Sequence, residues 1–133
     1  MEVFSRWLIV IAGFSGFIAV GLGAFGAHGL KNILDQRESL HVWQTAVQYQ
    51  FYHAVALLVL GVLVVALQNA SSNAMIGTTG LFWVIGTILF SGSLYALALG
   101  APKWMGMITP IGGLCFLIGW GFVVVSGFKW LKS

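Results

Sequence analysis

Residues 13–31 read GFSGFIAVGLGAFGAHGLK, uncharged before Lys31 and with Gly, Ala or Ser at more than half of the positions. In water each interior glycine would cost a helix about 1 kcal/mol relative to alanine. In a bilayer the backbone has no water to bond, so a helix forms regardless. Small residues then let neighbouring helices come close. Ala19, Gly23 and Ala27 form one small-xxx-small ladder, Ala12 and Gly16 extend a second on a nearby face, and Gly26 joins the packing set. This helix reads as the packing centre of a small membrane bundle.

Working outward, Asp, Glu, Lys and Arg are absent from residues 7–30, 39–102 and 104–128. A hydrocarbon core takes about 20 apolar residues per crossing. The first and last runs are one crossing each, and QNASSN at 68–73 breaks the middle run into two. The expected fold is all-α: a four-transmembrane-helix bundle, antiparallel and up-down, packed through small residues. It forms a single domain over 1–133, with spans at about 5–29, 43–67, 75–99 and 105–128. Asn69-Ala70-Ser71 fits a glycosylation sequon, but a lone match in a short turn carries little weight.

Charged residues make up 7% of the chain, against roughly 25% in soluble domains. The net charge of +3 comes from scattered basic residues without a stripe, so no nucleic-acid partner is expected. The N-terminal apolar run is longer than a signal-peptide core and reads as a retained span. Cys115 is the single cysteine, so no intrachain disulfide forms, and it reads as a small buried hydrophobe. Arg6, Lys129 and Lys132 on one side balance Lys31, Arg37 and Lys103 on the other, a tie under the positive-inside rule. Asp35 and Glu38, with the free amino terminus, tip the expectation toward both termini being cytoplasmic.

The polar residues inside the spans are few. The second span opens with Gln44, Thr45, Gln48, Tyr49, Gln50 and His53 and is aliphatic from Ala54 onward. Thr45, Tyr49, His53 and Ala56 share a helical face with Gln50 beside them, and that face should turn inward or toward an aqueous opening. Ser91, Ser93 and Tyr95 add hydroxyls to the third span, where Gly92, Ala96 and Gly100 form a further packing ladder. Pro110 either starts the fourth span, with Thr109 as its cap, or kinks it. Trp7, Trp43, Trp104 and Trp130 read as interface anchors, Trp83 and Trp120 as packing residues. Between the first two spans, residues 31–41 fit a short interfacial helix or a solvated loop.

Gly21-Leu22-Gly23-Ala24-Phe25-Gly26 matches G-x-G-x-x-G, but without the strand before it that nucleotide binding needs, so it reads as helix packing. His28 and His53, on neighbouring antiparallel spans toward one rim, could ligate haem or another metal. No other His or Cys stands at ligand spacing, so an interhelical hydrogen-bond cluster is the expectation, with no cofactor and no metal. No carboxylate lies inside a span, which disfavours a proton-coupled carrier. No nucleophile–base–orienter set is visible, so no enzyme is expected.

Four motifs, GLGAFGAHGLK (21–31), TAVQYQFYHAVALL (45–58), LFSGSLYALAL (89–99) and ITPIGGLCFLIGW (108–120), resemble the YgdD-like small membrane proteins. That is the bacterial family of domain of unknown function 423, of UPF0382 type. The resemblance covers most of the chain and implies a four-span inner-membrane protein without a settled activity. It implies a family site at Gly26, His28, Tyr49, Gln50, His53, Ser91, Ser93, Tyr95, Thr109 and Pro110, gathered near the rim of the first loop. The leading functional expectation is a non-catalytic accessory bundle packing against lipid, a larger membrane complex or copies of itself. The alternatives are an oligomeric permeation unit for small solutes or ions, and a haem-bearing redox subunit.

Overall fold

The computed structural model describes residues 2–67 and 70–132, with side chains at 4–66 and 74–132. Five α-helices follow one another: α1 (Glu2–Ala27), α2 (Lys31–Gln36), α3 (Leu40–Leu67), α4 (Ala70–Ala98) and, after a 3-10 turn at Lys103–Met107, α5 (Ile108–Trp130). Among the described residues, four stretches are long and apolar enough to span a membrane: Phe4–Ala27, Leu40–Ala66, Ala74–Ala98 and Lys103–Trp130. No strand occurs among the described residues. The four-span bundle read from the uncharged runs is the observed fold.

The element boundaries differ in two places. The expected break at 68–74 is shorter, because α4 already begins at Ala70. Gln68 and Asn69, and with Asn69 the sequon, lie outside the described residues. The segment after α1 contains a true helix, α2, whose Leu34 is fully buried against Trp43 and Ala98 while Ile33 is exposed. A six-residue helix is too short to hold itself in water, so this buried leucine is what fixes it. Its C-terminus closes through Ser39 N–H donating to Leu34 O at 2.9 Å, with Glu38 in the left-handed region at φ 52°.

The centre of the bundle is α3 with α4, not α1. In its most apolar window α1 has 17% of its residues buried, against 39% for α3. α1 packs chiefly on α3, α5 chiefly on α4, and the α3–α4 pair joins the two halves. The expectation for α1 fails because its small residues fall on two faces. Ala12, Gly16, Ala19, Gly23 and Gly26 alternate at spacings of four and three, and this stripe meets α3. Gly13 and Gly21 face outward among exposed Phe14, Phe17 and Val20. Ala27 is exposed, so the 19/23/27 ladder is replaced by the 12/16/19/23/26 stripe.

Register follows from side chains seated over glycines. Trp43 lies on Gly26, Val47 on Gly23, Ala54 by Gly16 and Ile9 on Gly61, so partners descend along α1 as they ascend along α3. The same opposed order joins α4 to α5: Met75 with Ser126, Trp83 with Gly119, Phe116 with Gly86, Ser93 with Thr109. α4 also receives Leu8 of α1 on Gly80. Gly92 has nothing near it and is exposed, so the expected 92/96 ladder is not a packing surface. The reason is that α4 already spends its other faces on α1, α3 and α5.

Pro110 sits in the first turn of α5, where its missing N–H costs nothing, so it starts the helix and does not kink it. Thr109 is not the cap. Met107 holds that position without a side-chain bond, and the Thr109 hydroxyl goes to Ser93. At the end of α4, Gly100 adopts φ +97° and the Arg37 guanidinium lies directly against it. Gly100→Ala therefore meets both backbone strain and the arginine. Thermal unfolding in detergent is expected to show a loss of about 1–2 kcal/mol, while Gly121→Ala, in open space, shows none.

Candidate functional site

Three groups of polar contacts hold most of the candidate residues of the spans. The first joins α1, α3 and α4. Gln50, nearly buried, donates from Nε2 to Ser15 O at 3.1 Å and accepts the Tyr95 hydroxyl on Oε1 at 2.8 Å. Ser91 donates to Ala46 O, one turn before Gln50 on α3, at 2.8 Å, and Trp43 packs edge-on against Tyr95 with ring centroids 4.7 Å apart. Trp43 was expected as an interface anchor. It is instead 3% exposed and donates from Nε1 to Leu22 O at 2.9 Å, made possible by the absent side chain at Gly26. Ser39 completes this side by donating to Ala98 O at 2.8 Å.

The second group is the hydroxyl pair Ser93–Thr109 at 2.7 Å, which ties α4 to the start of α5. The third is built around His53, which is 5% exposed. Its ring stacks on Phe116 at 3.6 Å between centroids and stands edge-on to Trp83 and Trp120. Trp120 Nε1 donates to His53 Nε2 at 3.3 Å, so Nε2 is an acceptor. Nδ1 then carries the proton and donates to Tyr49 O at 2.8 Å. Both ring nitrogens are thus used by the neutral tautomer. Tyr49 packs tilted against Phe90 with ring centroids 4.6 Å apart but keeps 40% of its surface exposed.

Depth separates the two histidines that the sequence placed near one rim. Gly16 meets Ala54, and Gly86 meets Phe116, and these four residues lie near the middles of the four spans. His53, stacked on Phe116, is therefore halfway across the membrane. His28 is exposed in the turn after α1, two residues beyond the Gly26 that meets Trp43. With a rise of 1.5 Å per residue the two rings lie about 15 Å apart in depth. They are not a ligand pair, and His28 stands outside the polar groups. Among the described residues no three of His, Cys, Asp and Glu gather as a metal site.

Ser15, Ser39, Trp43, Trp83 and Trp120 belong to these groups and were not among the candidates. For Trp83 and Trp120 the signal was their position inside spans. For Ser15 and Trp43 the signal lay only in the partner helix. Two buried polar atoms remain without a partner among the described residues, Ser15 Oγ and Trp83 Nε1. The Trp83 indole edge is pressed onto Gly119, which leaves no room for an acceptor there. Trp120→Phe removes the donor that His53 Nε2 has among the described residues. The expected loss is about 1 kcal/mol in detergent unfolding, and wild-type nitrogen NMR is expected to show a protonated Nδ1 beside a bare Nε2.

Residues 22–113 match the family described as "Protein of unknown function (DUF423)". The chain belongs to that family. A relative in Bacillus subtilis, the UPF0382 membrane protein YwdK, is 42% identical over 131 residues, covering 98% of this chain and 100% of the relative. The UPF0382 inner membrane protein YgdD of Escherichia coli is 41% identical over 125 residues, covering 94% of this chain and 92% of its own. A UPF0382 membrane protein of Haemophilus influenzae is 44% identical over 125 residues, covering 94% and 95%. No solved structure matches. The motif resemblance is thereby confirmed, and this DUF423 chain is a multi-pass membrane protein.

Proposed function

We propose that this DUF423 protein is a non-catalytic accessory bundle of the inner membrane, packing against membrane partners and lipid. One observation carries the reading: apart from the Ser15 hydroxyl and the Trp83 indole N–H, the interior polar side chains described above bond to the chain's own backbone or to one another, whereas Gln44, Gln48 and Tyr52 are left over on the outer edge of α3. Gln50, His53, Ser91, Ser93, Thr109 and Tyr95 hold helices together. A reacting group or a solute pathway needs polar atoms free to meet a ligand, and these are engaged. The inner-membrane placement draws on the name of the Escherichia coli relative. Cytoplasmic termini draw on the acidic Asp35 and Glu38 in the first loop.

Extraction from native membranes in a mild detergent or as native nanodiscs tests the reading. The protein is expected to run in a defined assembly larger than one chain, and His53→Ala is expected to leave that assembly in place. A lone chain throughout, or solute flux in proteoliposomes that His53→Ala abolishes, would overturn it.

A further inference from the structure

The outer edge of α3 carries Gln44, Gln48 and Tyr52, spaced by four so that they stand one above another on one face. All three are exposed, Tyr52 by 62% of its surface. None has a hydrogen-bond partner among the described residues, unlike Gln50 on the opposite side of the same helix. Their depth makes this costly. Ala54 marks the middle of the bundle, and Gln48 precedes it by six residues, about 9 Å along the helix. With a hydrocarbon half-thickness of about 15 Å, the Gln48 backbone lies about 6 Å inside the apolar layer. A carboxamide facing lipid there lacks any acceptor or donor.

We infer that a second copy of this chain docks on the Gln44–Gln48–Tyr52 edge, the two copies related by a two-fold axis along the membrane normal. The inference rests on the accessory-bundle reading and names its partner. A carboxamide holds a donor and an acceptor, so two identical ones facing each other bond reciprocally. A two-fold axis along the normal brings residues of equal depth together, so Gln44, Gln48 and Tyr52 each meet their own counterpart. A different protein would need polar groups of its own at all three depths, whereas a copy has them automatically. Close approach is also provided for. Beside the edge, between α1 and α3, runs an apolar groove of about 560 Å³ floored by Gly13, Gly16 and Gly21 and walled by Phe51 and Val55. Phe51 and Val55 are helical neighbours of Gln48 and Tyr52, so the glycine floor lies where the second copy's rings would enter.

The test uses the full chain, with Cys115→Ala as background, reconstituted in liposomes over a range of protein-to-lipid ratios. Gln48→Cys is expected to crosslink copy to copy in most chains with a short bismaleimide. Leu117→Cys, on the exposed face of α5, is expected to crosslink at collision background only. Separately, Gln48→Leu is expected to shift dimer dissociation about tenfold toward monomer by single-molecule photobleaching, with helicity unchanged. Equal crosslinking at positions 48 and 117, or monomers at every ratio, would overturn the inference and leave Gln48 reaching toward the headgroups. A photo-crosslinker at position 48 that captures one different protein in native membranes would overturn it too, while the accessory reading stands. Failure of that wider reading has its own signature, a single chain free of any assembly in the native-membrane extraction.

Discussion

Gly112→Ala is expected to be the most damaging conservative substitution in the chain. A Cβ at Gly112 would meet the backbone nitrogen of Phe90, and would lie 2.8 Å from both its Cα and its Cβ. Backbone cannot rotate aside as a side-chain tip can, so α4 and α5 must move apart. That movement would loosen the seats of Phe116 on Gly86 and of Trp83 on Gly119 at the same time. Overpacking of a core usually costs about 1–3 kcal/mol, and a backbone clash belongs at or beyond the upper end. Unfolding in mixed micelles should show a loss of about 3 kcal/mol. Gly121→Ala on the same helix, with open space around it, should be neutral or slightly stabilising through helix propensity. Equal behaviour of the two variants would mean that the α4–α5 contact is looser than described.

The second large effect concerns Gln50 and Tyr95. Gln50→Leu keeps the volume roughly constant but leaves the half-buried Tyr95 hydroxyl without its acceptor, at a cost of about 1–3 kcal/mol. Tyr95→Phe alone strands Gln50 Oε1 and should cost a comparable amount. The double variant replaces both polar partners by apolar ones and should be more stable than the sum of the singles predicts. Interhelical hydrogen bonds in membranes are modest, so the expected coupling is about 1 kcal/mol. Strict additivity in that cycle would mean that the Gln50–Tyr95 bond contributes nothing. The cycle also separates structure from function, since Gln50 lies opposite the Gln44–Gln48–Tyr52 edge and its loss should leave copy-to-copy crosslinking at position 48 unaffected.

How the site was legible differs from residue to residue. The inward turn of Gln50 and His53 followed from the expense of polar groups in lipid, and both are buried. Tyr49 was grouped with them by helical spacing, yet it straddles the boundary and is half-exposed. Gln44 and Gln48 shared the same polar half of α3; helical spacing set them on the face opposite Gln50, but nothing in the one-dimensional pattern said that this face would be left uncovered. That comes from where α1 and α4 press on α3. Trp43 and Trp7 show the same limit. Both stand near a span end, but Trp43 has a glycine opposite it and a helix carbonyl, Leu22 O, within reach.

What the sequence determined by itself was the class of fold and the number of crossings. Runs free of Asp, Glu, Lys and Arg are measured against a bilayer of fixed thickness, and that comparison needs no knowledge of neighbours. What only the tertiary structure decided was which helices lie at the centre, at what depth each polar group sits, and which amides are left facing outward. Those follow from register, and register is set by which side chain drops onto which glycine. A glycine looks the same in sequence whether an indole, a phenyl ring or lipid lies across from it.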